Sequence, residues 1–431
     1  MSAMLKGADF IVKCKTEAFD LWQYLCGEVF EPLIRCRMDF DGFIDEELLK
    51  NVVTQSLKTI PMIGLCFDGG KHKPRWIDKG FNGNDIVRVV KADSEDDEQV
   101  VLRCLSAGID FADEPQLKLF VVRKPDHDTI CAVISHIVCD GAGFKQYLYL
   151  LSKLYTQLIN RETVCAPEIS SRGLKPLFAD ISLKEKLKIL RSKYSAYNAS
   201  NKTQQRGVDF KEGAFVTAME RRILSAEDFD RLKIFAKANG ATVNDIFMGL
   251  FARSFCKNTG TDKIMFPSTM DLRKFMPIGQ EVGIGNYSSN CMCAIFVKPE
   301  DTLADTVMQV SKQMRVHKSE KNILKSVMLW DFAAHTPWFL LKRNFSKVIT
   351  HPVISFTNLG IIDAIALKFG GLKIKDAYLT ASIKPRPYLQ MNVSTFNDSC
   401  TLSCNIYGSK ADEQFVHRLL DDMCLETITL K

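Results

Sequence analysis

The sequence predicts an α/β protein of the α+β kind, built as two lobes that each carry a mixed or antiparallel sheet covered by helices. Three observations predict it. Strand-like alternation and helix-like spacing take turns along residues 33–159. The pattern fades between 160 and 213, and the same grammar then resumes to the end of the chain. A chain of 431 residues is also longer than one simple core serves. The expected division is a first lobe of 1–175 and a second of 176–431, with the break somewhere in 170–210.

The elements follow in order. "LIRCRMDF" alternates Ile34, Cys36 and Met38 with Arg35, Arg37 and Asp39, which predicts a half-buried strand. Asp45 is placed to cap a helix carrying Leu48, Leu49, Val52 and Val53 on one stripe. "PMIGLCF" reads as a returning strand, and "QLKLFVVRK" and "TICAVIS" as two strands joined by the turn "PDHD". After Gly141, the residues Phe144, Tyr147, Leu148, Leu151, Tyr155 and Leu158 fall at helical spacing. "APEISSRGLKP" and "NASNKTQQRGVDF" are loop-like pieces around a lysine-rich helical segment. In the second half, "GAFVTAMERRIL" is strand-like, Ser225 and Asp228 form a capping box, and that helix ends at Gly240. Thr242 starts a helix bearing Ile246, Phe247, Leu250 and Phe251. "YLQMNVSTF" and "CTLSCNIY" flank Asn397-Asp398 as an antiparallel hairpin, with Leu402, Cys404 and Ile406 alternating along its second strand.

Composition excludes several functions. At 46% hydrophobic and 25% charged residues the chain reads as globular. Its net charge of +6 is spread along the sequence with no basic block, so neither nucleic acid nor an anionic membrane is implied. No uncharged apolar run is long enough to span a bilayer, and the N-terminus has no signal-peptide pattern. Most of the 14 cysteines lie in apolar contexts, as Cys36, Cys66, Cys131 and Cys404 do, and there is no Cys-x-x-Cys. Cys291 and Cys293 would share one face of a strand, but no nearby histidine completes a site, so no metal is expected. A reducing cytoplasm is the expected compartment.

Of seven histidines, His136 stands apart, because it falls where a strand breaks into a helix. A satisfied core histidine, with Asp140 as a helix cap, explains the pattern without function. A catalytic reading needs an imidazole poised near neutral pH, an orienting partner and room for substrate. His136 offers the first, Asp140 could orient it or brace the loop, and Gly141 leaves space beside it. Cys139 alternates away from His136, which favours packing over a Cys/His nucleophile pair.

The stretch "SHIVCDG" resembles the His-His-x-x-x-Asp-Gly signature of the superfamily of chloramphenicol acetyltransferase, peptide-synthetase condensation domains and alcohol O-acyltransferases. The first histidine of that signature is replaced here by Ser135. Further segments resemble the family in its order: "FDGFIDEELLKNVVTQSLKTIPMIGLCF", "ATVNDIFMGLFARSF", "STMDLRKFMP" with "GIGNYSSN", and "VISFTNLGII". The Asp-Phe-Gly-Trp-Gly motif of plant acyltransferases is absent.

The resemblance implies two chloramphenicol acetyltransferase-like lobes forming a V, with a tunnel between them. It implies His136 as general base, Asp140 as a mainly structural acid paired with Arg273, and Gly141 completing the motif. Ser355 and Asn358 become candidates to line the tunnel and polarise a carbonyl, against a purely structural turn before Gly360. The implied donor is an acyl thioester of coenzyme A or of a carrier protein's phosphopantetheine, used as a co-substrate with no permanently bound cofactor. The acceptor is a small alcohol or amine, with ester formation ahead of amide formation. A stand-alone monomer is expected. A non-catalytic scaffold on the same fold and an epimerase are the competing readings.

Overall fold

In the first half the chain runs α1 (Ala18–Cys26), β1 (Leu33–Phe40), α2 (Glu46–Ser56), β2 (Leu65–Asp68), β3 (Arg75–Asp78), α3 (Gly83–Ile86), β4 (Val87–Lys91), α4 (Asp97–Leu105), β5 (Leu117–Arg123), β6 (Asp128–Ser135) and α5 (Gly141–Ile159). It continues through α6 (Leu183–Arg191), β7 (Val216–Leu224), α7 (Ala226–Ala238), α8 (Val243–Thr259), β8 (Lys263–Asp271), β9 (Ser288–Phe296), α9 (Leu303–Ser319), α10 (Leu324–Ala334) and α11 (Trp338–Val348). The last elements are β10 (Ile354–Ile362), β11 (Ile374–Thr380), β12 (Lys384–Pro385), β13 (Leu389–Phe396), β14 (Ser399–Gly408) and α12 (Lys410–Ile428). These assignments come from a computed structural model that describes residues 14–69, 72–92, 96–163, 172–192, 214–279, 282–319, 321–348 and 352–430. Residues 170–171 and 193–210 of the stretch expected to divide the lobes, all of "NASNKTQQRGVDF" among them, lie outside the described residues.

Two mixed sheets carry the architecture. The first has the order β11-β1-β6-β5-β4, and the second runs β12-β14-β13-β10-β8-β9 with β7 also paired to β14. The halves interlock, because β11 comes from the C-terminal part of the chain yet pairs antiparallel with β1. β11 also packs over β13 and β14. A buried polar latch fixes that junction: Asn405 donates to Thr380 Oγ1 (2.7 Å) and to the Ala381 carbonyl (2.8 Å), and the Thr380 and Ser403 hydroxyls lie 2.9 Å apart.

Local signals explain most starts and stops. Asp45 accepts the Leu48 N–H at the start of α2, Ser225 accepts the Asp228 N–H at α7, and Thr242 and Asp245 cap α8 reciprocally. Asn397 and Asp398 take φ of 46° and 60°, the left-handed pair that a two-residue hairpin between β13 and β14 requires.

Three expectations need correction. Arg35 and Arg37 do not face solvent: β1 is an interior strand with α4 over its second face, and they are 0% and 5% exposed. Both are paired there, Arg35 with Glu31 and the Leu105 carbonyl, Arg37 with Glu98 and Asp39. The stretch "PMIGLCF" begins as a 3₁₀ turn over Pro61–Gly64 before β2, because Pro61 supplies a fixed φ and no N–H. β14 is buried nearly throughout rather than on alternate residues, since β11 covers one face and α12 packs on the strand as well.

Candidate active site

The site begins at the end of β6. Every residue from Asp128 to Ser135 is buried, so the strand is fixed on both faces. Ser135 ends it by accepting the Ile137 N–H at 3.2 Å, and the His136 N–H bonds to the Pro32 carbonyl at 2.8 Å. The residue standing where the family carries a first histidine therefore shapes the turn. It is fully buried and does not line the cavity.

Asp140 closes the turn and caps α5, accepting the Gly143 N–H at 2.9 Å. The same carboxylate accepts the Tyr287 N–H at 2.7 Å and a bidentate fork from Arg273, both bonds 3.0 Å. The Asp140 N–H in turn bonds to the Gly285 carbonyl at 3.3 Å. Asp140 thus grips the backbone on either side of Asn286. That segment comes close: a Cβ on Gly143 would lie 3.0 Å from the Gly285 carbonyl oxygen and 2.8 Å from Cys139 Cβ. A Cβ on Gly141 would meet Leu359 of β10 at 2.6 Å.

Held in this way, Asn286 reaches His136. Its amide nitrogen donates to the carbonyls of His136 (2.8 Å) and Ile137 (3.2 Å), which fixes the amide's orientation. Oδ1 therefore faces His136 Nδ1 at 3.0 Å as an acceptor, so Nδ1 carries the proton. Nε2 is left with a free lone pair, and no described group bonds to it. Burial drives the imidazole pKa below its ordinary value, against the opposing pull of its own backbone carbonyl, Asp140 and Asn286. At neutral pH the ring is an uncharged base.

Beneath the turn lies a second buried pair. Arg172 donates to Asp20 of α1 (2.9 Å) and to the carbonyls of Val138 (2.7 Å) and Ile284 (3.1 Å). Asp20 is 1% exposed and also accepts from the Trp76 indole. This pair ties α1 to both segments that carry the site.

His136 faces a cavity of about 390 Å³ at the meeting of the two sheets, walled by α1, the β6–α5 corner, β8, β9, α10, β10 and residues 381–390. Asp140, Gly141, Arg273, Ser355 and Asn358 also line it, so it gathers all six residues singled out in the sequence. Their freedom differs. Asn358 is occupied, donating to Asn244 at 3.0 Å and accepting from the Gly360 N–H at 2.8 Å, whereas Ser355 makes one long bond to the Leu389 carbonyl at 3.4 Å. Cys139 lies outside the cavity, and burial pushes its thiol far up, as for a packing residue. Cys291 and Cys293 are buried against the Met314 sulfur.

Asn286, Arg172, Asp20 and Lys384 escaped the sequence reading. Asn286 sat in the segment "GIGNYSSN", but nothing local shows that it meets a residue 150 positions away.

Two sheets meeting at a cavity, with a histidine at a strand end and an aspartate–arginine pair behind it, give the chain the two-lobed fold of condensation domains. Solved structures share this fold along nearly the whole chain. The epimerization domain from the third module of tyrocidine synthetase B superposes with a TM-score of 0.69 at 14% identity, covering 96% of this chain and 95% of that one. Polyketide synthase associated protein 5 from Mycobacterium tuberculosis gives 0.67 at 11% identity, covering 94% and 96%. The first condensation domain of the calcium-dependent antibiotic synthetase, in complex with a substrate analogue, gives 0.61 at 15% identity, covering 95% of each chain. No protein-family model and no curated protein matches the sequence. Among the described residues no helix is long and apolar enough to cross a membrane.

Proposed function

We propose that the protein is an acyltransferase that moves an acyl group from a pantetheine thioester to a hydroxyl or amine, with His136 as general base. The observation that supports this most is the His136 imidazole on the cavity lining, its Nδ1 bonded to Asn286, its pKa lowered by burial and its Nε2 bonded to no described group. The acceptor docks with its O–H or N–H against Nε2. As the proton passes to Nε2, the acceptor atom bonds to the thioester carbon and the C=O becomes a tetrahedral oxyanion. Collapse breaks the C–S bond, and the proton on Nε2 goes to the departing thiolate. Such a base contributes a factor of about 10² to 10⁴, and alignment of the two substrates in one cavity supplies much of the rest. Ser355, on the cavity wall with only a long bond of its own, is the better placed of the two oxyanion candidates.

In this reading Asp140 and Arg273 are positioning residues, acting on His136 through Asn286. The two sheets are the two lobes, divided near residue 175, with β11 returning to the first. Epimerisation would need a second acid or base besides His136, a role that neither cavity carboxylate is free to take. Both carboxylates on the cavity wall, Asp140 and Asp271, are held by Arg273.

The test is free-thiol release from a panel of acyl-coenzyme A and acyl-carrier thioesters with a mixed pool of alcohols and amines, products being read by mass spectrometry. Release with a matching ester or amide product in wild type, lost in His136→Ala, supports the reading. Silence across both donor classes would leave the non-catalytic scaffold.

A further inference from the structure

The cavity holds a second titratable side chain that base catalysis by His136 does not use. Lys384, in the short strand β12, is 7% exposed and lines the cavity. Its ammonium lies over the Phe30 ring, 3.0 Å from the centroid. No carboxylate pairs with it among the described residues, and Cys26 is its only titratable attractor. The two acids on the cavity wall are both bonded to Arg273. Lys145, beside Gly360 in the same lining, donates to the Ile361 carbonyl and makes no ion pair among the described residues, although Asp271 and Asp140 attract it at longer range. Arg273, Lys145 and Lys384 stand against Asp140 and Asp271, so with Lys384 protonated the lining carries one positive charge in excess.

A buried ammonium without a counter-charge is costly, and an aromatic face returns only part of that cost. Burial accordingly lowers the Lys384 pKa to about 7. The backbone that carries the lysine is nevertheless well anchored: the Asn405 latch fixes Ala381, Ser382 Oγ bonds to the Leu33 carbonyl at the start of β1, and Lys384 itself pairs with Ile406 of β14. It also lies within electrostatic reach of His136, whose pKa it helps to depress.

We propose that Lys384 is the anion-recognising group of the substrate cavity, pairing with a carboxylate on the substrate while the reacting carbonyl sits at His136. This inference rests on the acyl-transfer reading for the identity of the ligand. The carboxylate is either the far end of a dicarboxylic acyl chain or a group on the acceptor, as in a hydroxy or amino acid. The phosphates of coenzyme A do not meet the requirement, because the whole pantetheine arm separates them from the thioester.

The experiment compares pairs that differ in one carboxylate. Glutaryl- and pentanoyl-coenzyme A form the donor arm, and 3-hydroxybutyrate with 2-butanol, or β-alanine with propylamine, forms the acceptor arm. Turnover is read as kcat/KM for wild type, Lys384→Met and Lys384→Arg. In parallel, calorimetry measures binding of the non-transferable thioethers S-(4-carboxybutyl)- and S-pentyl-coenzyme A, and of the acceptor pairs. Wild type is expected to favour the carboxylate member tenfold or more in one arm. That ratio falls at least tenfold in Lys384→Met and is largely kept in Lys384→Arg. Equal handling of both members of every pair by wild type overturns the proposal, whatever the variants do. Turnover without carboxylate preference leaves acyl transfer standing and removes the anion site. Carboxylate-selective binding without turnover in any pair does the reverse.

Discussion

Asn286 holds His136 by both ends: its Oδ1 lies 3.0 Å from the ring Nδ1, and its amide nitrogen lies 2.8 Å from the carbonyl oxygen of the same residue. Asn286 is itself clamped, since Asp140 bonds to the backbone of Gly285 and of Tyr287. The motif aspartate therefore reaches the motif histidine through a residue 146 positions further along than itself, by the numbering of the chain (286 − 140).

Removing the asparagine is predicted to move a pH profile as well as a rate. Asn286→Ala should lower kcat by about 10- to 100-fold through loss of ring orientation. Its hydrogen bond favours the protonated ring, so the acid limb of kcat/KM should also shift to lower pH than in wild type. A rate loss with an unmoved limb would show that Asn286 serves packing alone.

In wild type the acid limb itself should lie below the ordinary imidazole value of about 6.5, because burial favours the neutral ring. Activity then persists to a lower pH than a solvent-exposed histidine base would allow. His136→Ala should cost about 10² to 10⁴ in rate while melting like wild type.

The Asp140–Arg273 pair should behave as a buried unit. The side chains are 5% and 15% exposed, so removing Arg273 leaves a buried carboxylate without its cation. Removing Asp140 undoes the cap and the Tyr287 bond and leaves the Arg273 side chain only Asp271 and the Gly285 carbonyl as hydrogen-bond partners. Asp140→Ala or Arg273→Met alone should cost about 3–5 kcal/mol in chemical denaturation, and the double variant clearly less than the sum. Normal melting of Asp140→Ala with lost activity would contradict the clamp.

Lys384 makes a prediction of opposite sign. Its folded-state pKa of about 7 lies below the unfolded lysine value of about 10.4. Between those values the unfolded chain binds the extra proton, so this group makes stability rise with pH across that window. Lys384→Met should raise Tm at and below pH 7, and the gain should shrink as pH approaches 10. A gain independent of pH would point to packing instead.

The sequence made the frame legible where local chemistry decides it. Caps at Asp45 and Thr242, the Asn397-Asp398 turn and the apolar stripe of α5 each specify an element without help from elsewhere. It misled where a neighbouring layer decides: Arg35 and Arg37 read as solvent-facing, yet α4 covers them and supplies Glu98 and the Leu105 carbonyl. The site divides in the same way. His136, Asp140 and Gly141 lie within six residues and carry a recognisable spacing, and Arg273 came through resemblance. Asn286, Arg172 with Asp20, and Lys384 are ordinary residues in ordinary contexts, and only the meeting of two sheets gives them roles.

The most direct test of a neutral His136 with a free Nε2 is the long-range proton–nitrogen NMR spectrum of the histidine-labelled protein, recorded from pH 8 to 5 and assigned with His136→Gln. The predicted result is a His136 ring protonated on Nδ1 alone at pH 7 and still neutral below the pH at which exposed histidines titrate. A ring protonated on Nε2, or already cationic at pH 7, would contradict its role as the base.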